Sequence, residues 1–259
     1  MNAPLRGRTA LVTGASRGIG LATVGVLVQA GATVVAGSRT SSPGLDALVG
    51  QGSVTWVPVD LGVPRDAERL VEAAQGRVDV LVNNVGAAPA RTGGFVSVTD
   101  ADWQHVLDLN LLSTVRVTRA ALPLMVEAGQ GSVITVASVN ATLPDPMVID
   151  YSAAKAAVVA FSKALSKEVG PKGVRVNTVS PGPVETDLWL AEGGVARTVS
   201  AAAGVQPDDV VAQVAGATAT GRFSTSEEVA EVILFLAGDH ARNITGSDWI
   251  IDGGFVPTW

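Results

Sequence analysis

The stretch "DYSAAK" at residues 150–155 holds the only tyrosine of the chain, Tyr151, and sets Lys155 four positions after it. On a helix, positions i and i+4 share a face one turn apart, so a phenol and an ammonium would stand side by side. A phenol gives a proton when neutral and takes one when ionised, but its reference pKa of about 10 is high for base work near neutrality. A nearby cation favours the phenolate, and about 1.4 kcal/mol of that preference makes the phenol tenfold more acidic. Such a pair suits an oxygen that must gain or lose a proton, as when hydride reduces a ketone or leaves an alcohol. Taken alone, the six residues are better read as an exposed phenol and a solvated lysine. The rest of the chain has to position them.

It does so by alternating strands with helices. Short apolar runs at 9–13, 33–37, 53–60, 78–84, 131–138, 174–182 and 247–254 read as strands. Helical patterns fill about 18–30, 65–75, 99–128 in two parts, 151–169 and 227–238, while 187–224 reads as irregular to weakly helical. Near-continuous Val, Ile and Leu in the strands marks a parallel sheet buried on both faces. The alternation implies right-handed crossovers and a doubly wound α/β sheet of Rossmann type, with about seven strands. With no linker, repeat or low-complexity tract, residues 1–259 read as one domain.

"TGASRGIG" at 13–20 joins the first strand to the first helix, with glycines at 14, 18 and 20. A phosphate-binding turn needs a tight bend, close backbone approach to the ligand and close packing of helix on sheet. The helix N-terminus then offers free N–H groups and a partial positive charge to a pyrophosphate. A glycine triplet alone is weak evidence; at the first strand of an α/β chain it reads as a dinucleotide site.

This glycine spacing, together with the tyrosine and lysine, resembles the short-chain dehydrogenase/reductase family, over nearly the whole chain. The resemblance rests on ordered motifs: "TGASRGIG", "VD" at 59–60, "NNVG" at 83–86, Asn110 in "DLNLL", Ser138, "YSAAK", "SPGPVET" at 180–186 and "ITGSDWIIDGG" at 244–254. It implies Tyr151 as general acid/base, with Lys155 as its electrostatic partner and as a ligand of the nicotinamide ribose. Ser138, at a strand end, is expected to hold the substrate oxygen beside Tyr151. The resemblance gives Asn110 a role in distorting its helix and holding a water linked to the lysine. It further implies cofactor contacts from Gly14, Ser16, Arg17, Gly18, Ile19 and Gly20 in the first turn, and from Asp60 and Leu61 beside the adenine. Asn83 and Gly86 follow on the adenosine side, and Pro181, Gly182, Val184 and Thr186 at the nicotinamide. Asp60, taken alone, is as well explained as a helix cap. Val85 replaces the more usual alanine, a small change.

An acid at the end of the second strand favours NAD by bonding the ribose 2′-OH. Here "TVVAGSRTSS" supplies Ser38 and Arg39 and no carboxylate, and Arg17 adds a second cation. An arginine fork suits a phosphate dianion. NADP(H) is therefore the expected cofactor, with NAD(H) possible.

The apolar residues Leu143, Met147, Val148, Leu188, Trp189 and Leu190 are expected to wall a largely apolar carbonyl compound or secondary alcohol, with 187–224 as a lid. The mostly apolar helix after Tyr151 implies burial on two sides; in the resembled family this helix and its neighbour form tetramers, and a homotetramer is expected. A 3-oxoacyl-carrier-protein reductase is the alternative within the class. A non-catalytic dinucleotide sensor, the alternative outside it, has no need of Ser138, Tyr151 and Lys155 together.

Composition narrows the rest. The chain is 47% hydrophobic and 16% charged, with mean hydropathy +0.36 and net charge −6, and it shows no basic stripe, which argues against nucleic acid. Without cysteine it has no thiolate ligands, and His105 and His240 lie far apart, so no metal is expected. No apolar run approaches the ~18 residues of a membrane helix. "MNAPLRGRTALVTGAS" has no apolar core leading to a cleavage site, so a cytoplasmic location is expected.

Overall fold

The computed structural model describes residues 3–257, and these form one parallel sheet with strand order β3-β2-β1-β4-β5-β6-β7. The strands are β1 (Thr9–Thr13), β2 (Thr33–Ser38), β3 (Val54–Pro58), β4 (Val80–Asn83), β5 (Gly131–Val136), β6 (Val174–Pro181) and β7 (Asp248–Ile251). Helices α1 (Gly18–Gln29), α2 (Pro43–Val49), α3 (Pro64–Glu72), α4 (Asp100–Leu107), α5 (Ser113–Glu127) and α6 (Ile149–Val169) carry the crossovers. Beyond β6 come α7 (Asp187–Leu190), α8 (Val195–Ala203), α9 (Pro207–Gly216) and α10 (Ser226–Ala237).

Because strand side chains alternate between faces, each strand feeds two cores. Ala10, Val12, Val34, Ala36, Val80 and Val82 pack under α1 and α10, against Val24, Leu27, Val229 and Ile233. Leu11, Val35 and Leu81 point the other way, against Leu70 of α3 and Val117 and Met125 of α5. Both faces are apolar, so a one-residue slip of a strand would bury much the same chemistry; register is left to the crossovers and turns.

The expected elements stand, with shifted ends. The helix α2 has no counterpart in the pattern reading, although its start is written in the chain: Ser42 accepts from Leu45 N at 3.2 Å, and Pro43 fills the first helical position. Its seven residues bury Leu45 alone, too little periodicity to register. The irregular stretch 187–224 holds three short helices, and its ends are tied by a bridge of Val184 to Ser224, with Glu185 N donating to Ser224 O at 2.9 Å.

All carboxyl ends share one edge of a parallel sheet, and the strand order reverses between β1 and β4, where such folds bind ligands. The first glycine turn, Arg39, Asp60, Asn83–Gly86, Ser138 and Pro181–Thr186 all lie at or just beyond strand ends on that edge. Among the described residues, no helix is long and apolar enough to cross a membrane.

Candidate active site

Tyr151 and Lys155 lie in the first two turns of α6, and both are buried. The Lys155 ammonium donates to Val136 O at the end of β5 at 2.8 Å and stands 5.6 Å from the centre of the Tyr151 ring. The phenol ring packs with Val106, Val148 and Ala154, flanked by Ala88 and Leu107. Burial disfavours whichever form is charged, so it moves the two groups in opposite directions. It raises the Tyr151 phenol above its ordinary value, while the neighbouring Ser138 hydroxyl works the other way. It lowers Lys155 from 10.5 to about 8. In the protein by itself, loss of hydration is the larger influence on the phenol, which holds its proton.

Ser138 follows β5 and opens a short 3-10 turn (Val139–Ala141), accepting from Asn140 N at 3.2 Å and donating to Asn140 Oδ1 at 3.1 Å. Asn110 sits wholly buried in a π-helical turn, Asp108–Leu112, between α4 and α5. Its Nδ2 donates to Ala87 O and Val106 O, both at 3.0 Å, and its Oδ1 accepts from Ala87 N at 3.2 Å. The expected helix distortion is thus present, and it turns the amide outward onto the loop after β4. That loop can pass only because Gly86 lacks a side chain: a Cβ there would lie 2.8 Å from Asn110 Oδ1 and 3.4 Å from Lys155 Nζ.

The glycine turn has the shape a pyrophosphate needs. Gly14 and Gly18 adopt left-handed backbone, φ +65° and +51°. A Cβ at Gly20 would overlap the Gly14 carbonyl oxygen, so only glycine lets α1 start there. Arg17 opens α1 without a side-chain cap, which leaves the first helical N–H groups without an intrahelical partner. Thr186 lies directly across, 3.2 Å from where a Gly18 Cβ would be. These features fit a dinucleotide.

The side chains of several expected contacts also find partners within the protein. The Asn83 amide turns inward, donating to Thr118 Oγ1 at 3.0 Å and Thr135 Oγ1 at 3.5 Å, and Leu61 is in the core. Ile19 packs partly against the other core. Asp60 Oδ1 accepts from Gly62 N at 3.0 Å, and Ser38 bridges Trp56 Nε1 and Thr40 O. Ser16 is half-buried in the turn, and Val184, two residues before Thr186, is buried. Gly182 packs against Asp252, where a Cβ would meet its side chain at 2.7 Å, and Pro181 closes β6. Arg39 is exposed, whereas Arg17 lies 3.6 Å from Asp187 at the start of α7.

The second residue of "NNVG", Asn84, is the one missed. Its Nδ2 donates to Thr13 O at 3.1 Å and Gly14 O at 3.2 Å, and its N–H donates to Thr13 Oγ1 at 2.9 Å. It clamps the glycine turn to β4; the doubled asparagine was the available signal.

Residues 14–256 match the family model described as enoyl-(acyl carrier protein) reductase. The chain belongs to the short-chain dehydrogenase/reductase family. Members are NAD(P)-dependent oxidoreductases of carbonyl and alcohol groups, and this chain is one of them. It is 35% identical to the 3-oxoacyl-(acyl-carrier-protein) reductase FabG of Thermotoga maritima, over 97% of this chain and 99% of the relative. It is 36% identical to the Escherichia coli protein of the same name, over 96% and 97%. A ketoacyl reductase assigned to a monensin polyketide synthase in Streptomyces virginiae is 39% identical over 95% and 96%.

The electrostatics are directly measurable. With 13C-labelled lysine, the Lys155 ε-carbon should titrate with a midpoint of about 8. A midpoint near its ordinary 10.5 means that the ammonium is far better hydrated than this burial allows.

Proposed function

We propose that the protein reduces the ketone of a 3-oxoacyl thioester with NADPH, giving the 3-hydroxyacyl product. The observation that carries the reading is the buried pair at the sheet edge: a phenol held protonated, one helical turn from an ammonium, with the Ser138 hydroxyl beside it. The relatives, which are 3-oxoacyl and ketoacyl reductases by name, support the choice among carbonyl compounds.

Bound at the glycine turn, NADPH supplies the hydride. Gly14, Gly18, Gly20 and the open start of α1 would hold its pyrophosphate, Asp60 and the Asn83–Gly86 backbone its adenosine half, and Lys155 and Thr186 its nicotinamide half. Ser138 donates to the ketone oxygen and fixes it next to Tyr151. As negative charge gathers on that oxygen, Tyr151 transfers its proton to it, and a proton from solvent restores the phenol. Lys155, charged below about pH 8, stabilises the phenolate left behind. Asn110 holds the Ala87 backbone, and through it the loop that crowds Lys155.

Of the six apolar residues expected at the substrate, Val148 is buried against Tyr151 and Trp189 stacks edge-on with Phe223 at 5.2 Å. Leu143, Leu188 and Leu190 stay exposed and are offered as the acyl wall, with 187–224 as a lid hinged on its tied base. Turnover of a 3-oxoacyl thioester, tested beside an enoyl thioester and simple ketones, decides the substrate class. Tyr151→Phe should lower kcat by about 10²–10⁴-fold, and the wild-type reduction rate should decline as pH rises through about 8, where Lys155 loses its charge. Full activity in Tyr151→Phe rules the mechanism out.

NADPH is preferred over NADH in this reading because β2 ends without a carboxylate, and because Arg17 and Arg39 stand exposed near that edge. The double variant Arg17→Ala/Arg39→Ala should raise the KM for NADPH by about tenfold or more and leave that for NADH nearly unchanged. Equal losses for both cofactors remove the 2′-phosphate assignment.

A homotetramer is proposed from α6, whose Ala153, Ala156, Ala160 and Ala164 form a row of small side chains opposite its buried face. Light scattering at working concentration should give four times the 26.3 kDa chain mass; a monomer contradicts it.

A further inference from the structure

Arg91, in the loop after β4, joins three elements around the phenol. Its Nε and Nη2 donate to Asp150 Oδ2 at 3.0 and 2.5 Å, and its Nη1 donates to Asp102 Oδ1 at 3.0 Å. Asp102 is itself fixed in the capping box that starts α4, accepting from Thr99 N and Oγ1. The Arg91 backbone adds a third tie, its N–H donating to Met147 O at 2.7 Å just ahead of α6. Asp150 has no exposed surface, and its other oxygen accepts from Tyr151 N at 3.0 Å.

A wholly buried carboxylate on a nearly buried guanidinium is an expensive way to hold two helices together, since apolar side chains of similar volume do so at equal or lower cost. What an ion pair adds is geometry: the planar fork accepts one arrangement of its partners. Here that arrangement sets the first turn of α6 against the start of α4, and the far end of α4, the residue just ahead of α6 and the loop after β4 supply the walls of Tyr151 through Val106, Val148 and Ala88. The same loop carries Gly86, where an added Cβ would lie 2.8 Å from Asn110 Oδ1 and 3.4 Å from Lys155 Nζ.

We propose that Arg91 and Asp150 are positioning residues for Tyr151: the pair locks the phenol and the loop after β4 in one register and touches neither substrate nor cofactor. The proposal rests on the ketone-reduction reading for its kinetic consequence, but its structural consequence can be read without it, because Tyr151 is the only tyrosine in the chain. In protein carrying ring-13C tyrosine, one resonance reports this residue alone.

Arg91→Met strands Asp150 without a charged partner and risks the fold, so the decisive variant is Arg91→Met/Asp150→Asn, which removes both charges. It should bind NADPH within about twofold of wild type, lose about tenfold or more in kcat, and show a shifted or broadened tyrosine resonance. Asp102→Asn, which cuts only the α4 arm, should give a smaller change of the same kind. An unaltered tyrosine resonance in the folded double variant overturns the proposal, as does an unaltered kcat. If wild-type protein reduces no carbonyl compound, the functional reading fails while the resonance still decides the positioning role.

Discussion

The site depends on one ammonium kept out of water. Lys155 is buried, and its hydrogen bond goes to the last carbonyl of β5. To put it there, β4 and β5 must be neighbours with their carboxyl ends level, α6 must cross back over the sheet, and the loop after β4 must run past without a side chain at Gly86. The parallel order and the register of Asn83 with Thr135 meet the first requirement. The π turn meets the last: its extra backbone residue turns the Asn110 amide out of the helix and onto Ala87, fixing the loop beside Lys155.

The same exclusion of water sets the proton inventory. A neutral acid and a cationic base respond to burial in opposite senses, so an environment that raises Tyr151 lowers Lys155. Below about pH 8 the two coexist as phenol and ammonium, which is the state a carbonyl oxygen acquiring negative charge requires. Hydration loss is thus what turns an ordinary i, i+4 pair into a proton donor with a charged neighbour. The ordinary pair is common on helices; the burial is what distinguishes this one.

The fold was legible because its signal is redundant. Strand after strand of Val, Ile and Leu, each followed by a helical pattern, leaves little choice but a covered parallel sheet, and the glycine turn marks which end binds. Where a signal is short it was lost: α2 buries a single leucine, and the three helices of 187–224 run for only four, nine and ten residues. The site was legible where a motif names a residue type that backbone geometry demands, as at Gly14, Gly18, Gly20 and Gly86. It could not show where a polar side chain finds a partner within the protein, as Asn83 does in Thr118 and Ser38 in Trp56.

By itself the sequence determined the α/β architecture, the edge where a dinucleotide fits, and the placing of Tyr151 and Lys155 one turn apart. Those follow from periodicity and from local backbone rules, which act between residues near in the chain. Only the tertiary structure decided that Asn84 and not Asn83 holds the glycine turn, that burial keeps the phenol protonated, and that Arg91 grips the residue before Tyr151 from 59 positions away. The reason is physical: hydration and partner choice belong to the space around a side chain, and that space is filled by segments its own neighbourhood in the chain does not contain.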